Sequence, residues 1–303
     1  MEQGQEQEQN AAVVDKGERM RHDAAESYDA QYAGLVRAIM EDGIEEANAR
    51  TGHTVRALAG VTLEIADVAA EFPLLTLRRI PIRLFVAEQV WFLTGERIAS
   101  NFLSQFTHIW DEFANVDGII STAYGYRWRR HFHRDQIADL VTLLERDPSS
   151  RHGVVVAWDP ASDGLASGIK RKNVPCPILF TVNLLGGKLN LHNVVRSNDV
   201  MLGLPHDVAG FCLLQHLLAA RLHVPPGKYT HSISHAHIYD IHYDGARTLL
   251  ERVPAHPPIL LRVPDDAFAR AMAGDAELVY ALERQLSAQY HPQPAIKNLH
   301  IVL

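Results

Sequence analysis

The chain has 303 residues, 47% of them hydrophobic and 21% charged, which suits one large globular domain. A formal net charge of -7 offers no general attraction to nucleic acid or to an anionic membrane, so neither is expected as a partner. No apolar run reaches roughly 18 residues, the length a spanning helix needs.

The opening MEQGQEQEQN lacks the apolar stretch of a signal peptide. The two cysteines, Cys176 and Cys212, do not make a disulfide framework and suit a reducing, cytoplasmic compartment. The 17 histidines fall in no HExxH or Cys/His zinc spacing, so no metal is expected.

Residues 1–25 are rich in Gln, Glu, Asp and Lys and read as a polar arm without fixed structure. One domain is expected over residues 26–303. Tyr32, Leu35, Ile39 and Ile44 recur at three to five residues, which predicts a helix over Tyr28 to Ala47. Val61 to Ile65 alternates and predicts a strand. Ile82 to Thr94 predicts a buried helix that ends at Gly95 and carries Glu88. Arg134 to Glu145 predicts an amphipathic helix, and Gly153 to Trp158 a buried strand.

Pro160 to Lys172 reads as a loop. Ile178 to Leu185 and Lys188 to Val195 flank Gly186-Gly187, a hairpin signal. Val208 to Leu222 predicts a long apolar helix, and Ile259 to Val263 a strand. Helices and strands mix without regular βαβ alternation, so the fold class is α+β.

Several positions are candidates for chemistry. Cys176 lies between Pro175 and Pro177, close to Lys170, Arg171 and Lys172, which would stabilise a thiolate. A small buried hydrophobe is the other reading. Cys212 sits among Phe211, Leu213 and Leu214 and reads as core. Arg196-Ser197-Asn198-Asp199 reads as a phosphate clamp or as a surface turn. Asp207, at the start of the long apolar helix, reads as an N-cap or as a functional carboxylate. Glu88 inside an apolar helix implies a raised pKa and proton handling, or a buried ion pair. His235, His237 and Tyr239 alternate on one strand face, which suits hydroxyl recognition or, with no third ligand in view, a metal.

In order along the chain stand Arg50-Thr51-Gly52, Phe72-Pro73-Leu74-Leu75-Thr76, Glu88, and Trp91-Phe92-Leu93-Thr94-Gly95. Ile109-Trp110-Asp111-Glu112, Tyr124-Gly125, Trp128-Arg129, Ser150-Arg151 and Pro175-Cys176 follow. Arg196-Ser197-Asn198-Asp199, Leu202-Gly203-Leu204-Pro205, His237-Ile238-Tyr239 and Pro294-Ala295-Ile296-Lys297 complete the set. Together they closely resemble the thymidylate synthases over about residues 30 to 303.

The resemblance implies a mixed sheet with surrounding helices, a homodimer, and a co-substrate, 5,10-methylenetetrahydrofolate. It implies that Cys176 attacks C6 of a pyrimidine nucleoside monophosphate, making C5 nucleophilic. Arg50, Arg196 and Ser197 would hold the phosphate, with Arg151 from the partner subunit. His237 and Tyr239 would bind the sugar hydroxyl. Glu88 and Tyr124 would support proton transfer. Trp110, Asp199 and Arg78 would face the folate, and the C-terminal segment would close over the complex.

The chain departs from that pattern around the nucleotide. Asp207 stands where dUMP methylases carry asparagine. An asparagine amide matches the O4 acceptor and N3–H donor of uracil; cytosine reverses both. An aspartate accepts from the exocyclic amine and, when protonated, completes the second bond. Asp207 therefore points to cytosine and resembles the cytidylate and deoxycytidylate hydroxymethylases. Pro177, His152, Thr181, Gly210 and His206 also replace the residues of the resembled pattern. The expected activity is CMP or dCMP 5-hydroxymethylation, with dCMP 5-methylation or dUMP methylation as alternatives.

Overall fold

The computed structural model describes residues 26–49, 51–166, 174–254 and 257–302. The polar arm over 1–25, the candidate phosphate ligand Arg50 and the Lys170–Lys172 cluster lie outside the described residues.

Helix α1 (Tyr28–Asp42) starts at Ser27, whose Oγ accepts from Ala30 N. Tyr32, Leu35 and Ile39 are buried, on the predicted stripe. The helix stops five residues before the predicted Ala47. Gly43 turns to an extended backbone, and a Cβ there would stand 2.2 Å from Ile39 O. Ile44 leaves the stripe, is 70% exposed, and opens an edge strand, β1 (Ile44–Asn48).

Strand β2 (His53–Ile65) begins eight residues earlier than predicted. Ala59 and Gly60 at its centre are exposed, which separates the stretch that buries Val55 and Ala57 from the alternation that marked Val61 to Ile65. Helix α2 (Ile82–Thr94) has the predicted limits, and Gly95 ends it in the left-handed region at φ 72°. Beyond it come a single helical turn, Tyr124–Tyr126, and a π-helical turn, Arg127–His131. Helix α3 (Gln136–Arg146) and strand β3 (Val154–Val156) lie within a residue or two of expectation, although β3 is shorter.

Strands β4 (Pro177–Leu185) and β5 (Lys188–Val195) form the predicted hairpin, and both glycines of its turn have positive φ. Strand β6 (Asn198–Asp199) follows at once. Helix α4 (Gly203–Arg221) starts five residues before the predicted Val208. Asp207 therefore lies inside the helix and is not its N-cap. Strand β7 (Pro226–Tyr239) is followed by α5 (Tyr243–Leu250), α6 (Ala267–Met272) and α7 (Ala276–Ser287).

The predicted strand Ile259 to Val263 is extended but joins no sheet. Glutamine side chains from α7 and its end satisfy its backbone instead. Gln289 bonds both Leu260 N and O, and Gln285 bonds both Arg262 N and O, at 2.7–3.0 Å. Ile259 O accepts from Phe72 N.

The strands make one mixed sheet in the order β1-β2-β7-β5-β4-β3, with β6 on β7. Pairing is antiparallel except for β5 and β6 on β7, which are parallel. The fold is thus α+β, one sheet with helices packed on it. Helix α4 is buried along nearly its whole length against the sheet and α2. Buried all round, it shows the apolar composition expected of a core helix.

One glycine governs the approach of the Tyr124 turn to α2. A Cβ on Gly125 would stand 1.9 Å from Phe92 O. Gly125→Ala is expected to destabilise the protein by about 1–3 kcal/mol or more, since the backbone must move. Thermal unfolding of the purified variant measures this.

Candidate active site

A cavity of about 350 Å³ opens where the ends of β5, β6 and β7 meet the start of α4. Glu88, Trp110, Tyr124, Cys176, Arg196, Ser197, Asp199, Asp207, His237 and Tyr239 all line it. Sequence separation among them reaches 151 positions, so only the fold gathers them. Arg78 does not line the cavity. It is buried behind one wall, where its guanidinium donates to Met201 O. Arg151 is exposed and lies away from the cavity.

Cys176 sits just before β4 and is partly buried. Its backbone N–H donates to Tyr124 Oη at 3.0 Å, and its carbonyl accepts from Arg196 N at 2.9 Å. Arg196 Nε and Nη2 bond the carbonyls of Pro175 and Val174 at 2.8 and 3.0 Å. Nη2 also stands 3.7 Å from Cys176 Sγ. A guanidinium at that distance stabilises negative charge on the sulfur. The same arginine thus rigidifies the cysteine loop and supplies its cation. Burial, then the nearby Cys176, holds the Tyr124 hydroxyl well above its usual pKa, so it stays protonated.

Glu88 projects from α2, and Oε1 accepts from Trp110 Nε1 at 2.6 Å. Burial pushes its carboxyl up to about 7, against the indole hydrogen bond, which favours the ionised form. Asp207 also lies at about 7, raised by burial and opposed by a hydrogen bond from Asn198 Nδ2 at 2.7 Å. Two carboxyls poised near neutrality in one cavity suit proton transfer and donor-acceptor recognition.

Asp199 caps the turn after β6: its Oδ1 accepts from Met201 N and Leu202 N at 2.9 and 3.1 Å. Burial nonetheless raises its pKa. His206 donates from Nδ1 to Leu202 O at 2.9 Å, which fixes its tautomer. Burial lowers its pKa to about 4, so the ring is neutral.

Sequence reasoning assigned no separate role to Asn198, Leu202 or Gly203, yet all three are in the cavity wall. All three stand inside motifs quoted above, Asn198 beside Asp199 and Leu202-Gly203 ahead of Leu204-Pro205, which was the available signal. Ile301 and Val302 line the cavity too, which places the C-terminal segment against it. Gly210 has a local reason: a Cβ there would meet Gln89 Nε2 at 2.8 Å. Leu84, Ile109, Trp110 and Phe113 give one side an apolar, aromatic wall that suits a flat heterocycle. Among the described residues, no group of three or more His, Cys, Asp or Glu is arranged to hold a metal ion. Nor is any helix among them long and apolar enough to cross a membrane.

The raised Asp207 carboxyl makes stability depend on pH. Its folded pKa of about 7 exceeds the ordinary 3.8, so the folded state prefers the protonated form. The resulting stabilisation is full below about pH 4 and is lost as pH rises through 7. Asp207→Asn removes that dependence. The variant is expected to gain on the wild type by on the order of 4 kcal/mol between pH 4 and pH 8, at about 1.4 kcal/mol for each pKa unit. Denaturant unfolding of both proteins across that range measures the difference.

A model of the thymidylate synthase family, described as "Thymidylate synthase", matches residues 30–299. That match spans most of the chain and every cavity residue named above except Ile301 and Val302. The chain therefore belongs to the thymidylate synthase family, the folate-dependent one-carbon transferases that modify C5 of a pyrimidine nucleotide.

Proposed function

We propose that the protein is a cytidylate 5-hydroxymethyltransferase, acting on CMP or dCMP with 5,10-methylenetetrahydrofolate and water. The observation that carries this reading is Asp207, a carboxyl in the cavity wall with a pKa of about 7. A carboxyl that is readily protonated offers one acceptor and one donor. That pair complements the exocyclic amine and N3 of cytosine. Uracil would need the donor and the acceptor exchanged between the two carboxyl oxygens.

Cys176 is the nucleophile. Its thiolate adds to C6, and the electron pair of the C5=C6 bond becomes available at C5. Arg196 stabilises the thiolate before the attack and, with Ser197, Arg50 and a partner's arginine at position 151, holds the phosphate. The exposed setting of Arg151, away from its own cavity, supports a homodimer in which it acts across the interface. His237 and Tyr239, at the end of β7, bind the sugar hydroxyl.

Methylenetetrahydrofolate, when bound, supplies the one-carbon unit. Trp110 and Asp199, in the cavity wall, would face it, Arg78 supports that wall through Met201, and Ile301 and Val302, which also line the cavity, would close over it against bulk water. Glu88 and Tyr124 handle the protons: C5 must lose its proton, and Glu88, with a pKa of about 7, can take and return one. In the hydroxymethyl reaction loss of the C5 proton breaks the bond from the transferred carbon to the folate nitrogen and tetrahydrofolate leaves; water then adds to the exocyclic methylene, and the C6–S bond breaks to restore the C5=C6 double bond and Cys176. No reductant is consumed.

Incubation with CMP, dCMP, UMP or dUMP and the folate, with products weighed by mass spectrometry, tests base, sugar and chemistry together. The expected product is a hydroxymethyl cytidylate, one oxygen heavier than the methyl product, with no dihydrofolate absorbance. A methylated product with dihydrofolate would instead make the protein a dCMP or dUMP methylase. Cys176→Ser is expected to lower turnover at least about a thousandfold. Full activity in that variant would remove the covalent mechanism.

A further inference from the structure

We infer that Asn198 is a specificity-determining positioning residue that makes the Asp207 carboxyl read cytosine and reject uracil. The inference rests on the cytidylate reading above and deepens it.

Asn198 belongs to β6, whose backbone is registered against Ala236 of β7. It is 3% exposed, and its Nδ2 donates to Asp207 Oδ2 at 2.7 Å. Its Oδ1 is buried and has no hydrogen-bond partner among the described residues. The amide thus presents its NH2 group, and not its carbonyl oxygen, to the carboxyl. The first turn of α4 covers the pair. A Cβ on Gly203 would stand 3.4 Å from Asn198 Nδ2 and 3.8 Å from Asp207 Oδ2. The contact is therefore built into the wall by a strand on one side and a helix on the other.

This contact breaks the symmetry of the carboxyl. A donor on Oδ2 makes that oxygen the poorer site for a proton, so a protonated Asp207 carries it on Oδ1. Oδ2 is left as acceptor and Oδ1 as donor. Cytosine needs that division, with its amine donating to Oδ2 and N3 accepting from Oδ1.

Uracil needs the opposite one: O4 would have to accept a proton held on Oδ2, and N3–H would donate to Oδ1. The carboxyl alone could serve either base by moving its proton from one oxygen to the other. Asn198 closes the second option. Discrimination against the wrong base is here a separate device from recognition of the right one.

The test compares kcat/KM for CMP, dCMP, UMP and dUMP in the wild type, Asn198→Leu and Asn198→Ala. Leucine keeps the approximate shape and removes the donor; alanine serves if leucine does not fold, as judged by thermal unfolding. A variant lacking the donor is expected to lose about tenfold of its cytidylate-over-uridylate ratio, the worth of one such hydrogen bond. A purely structural role would lower both bases in parallel. An unchanged ratio in a folded variant overturns the inference and leaves the cytidylate reading standing. A wild type that prefers uridylates overturns that reading and the inference with it.

Discussion

The site depends on one pairing: β5 and β6 run parallel to the long strand β7. Val195 lies beside Ile233, Asn198 beside Ala236 and Asp199 beside His237. That register carries Arg196, Ser197 and Asp199 to the same edge as His237 and Tyr239. The antiparallel partner of β5 is β4, and Arg196 N donates to Cys176 O across the end of that pair. Three chain segments thus deliver nucleophile, cation and polar wall to one place. A shift of one residue would turn each of these side chains to the opposite face.

Helix α4 completes the arrangement because it is buried. An apolar helix under the sheet places Asp207 in its second turn, facing the cavity but surrounded mainly by protein. Removal from water raises the carboxyl toward neutrality. Glu88 on α2, packed against α4, reaches a similar value for the same reason. Among the described residues each accepts a hydrogen bond that opposes the shift, Asp207 from Asn198 and Glu88 from Trp110. Burial and these two donors together leave both groups near the middle of the physiological range, where either protonation state is accessible.

Much was legible in the chain. The buried helix Ile82 to Thr94, its end at Gly95 and the Gly186-Gly187 hairpin follow from local patterning, because period, apolar content and glycine placement agree. Other elements were misread where a distant partner decides. Ile44 fits the helical stripe of α1, but Gly43 ends the helix and Ile44 pairs with Ala57. Ile259 to Val263 has strand composition, yet Gln285 and Gln289 take its backbone bonds. The apolar run predicted a helix from Val208, yet α4 begins at Gly203, which puts Asp207, read as an N-cap or as a functional carboxylate, inside the helix.

The sequence by itself determined the family, the cast of candidate residues, and the substitution of aspartate for asparagine at 207. Those are matters of residue type and order, which survive without coordinates. Only the tertiary structure decided which of those residues share a cavity, that Arg196 touches the cysteine loop, and that Asn198 holds Asp207. These depend on contacts between strands and helices far apart in the chain, and on how much water the packed protein removes from each carboxyl. Neither a register between distant strands nor a desolvation cost is written in any local run of residues.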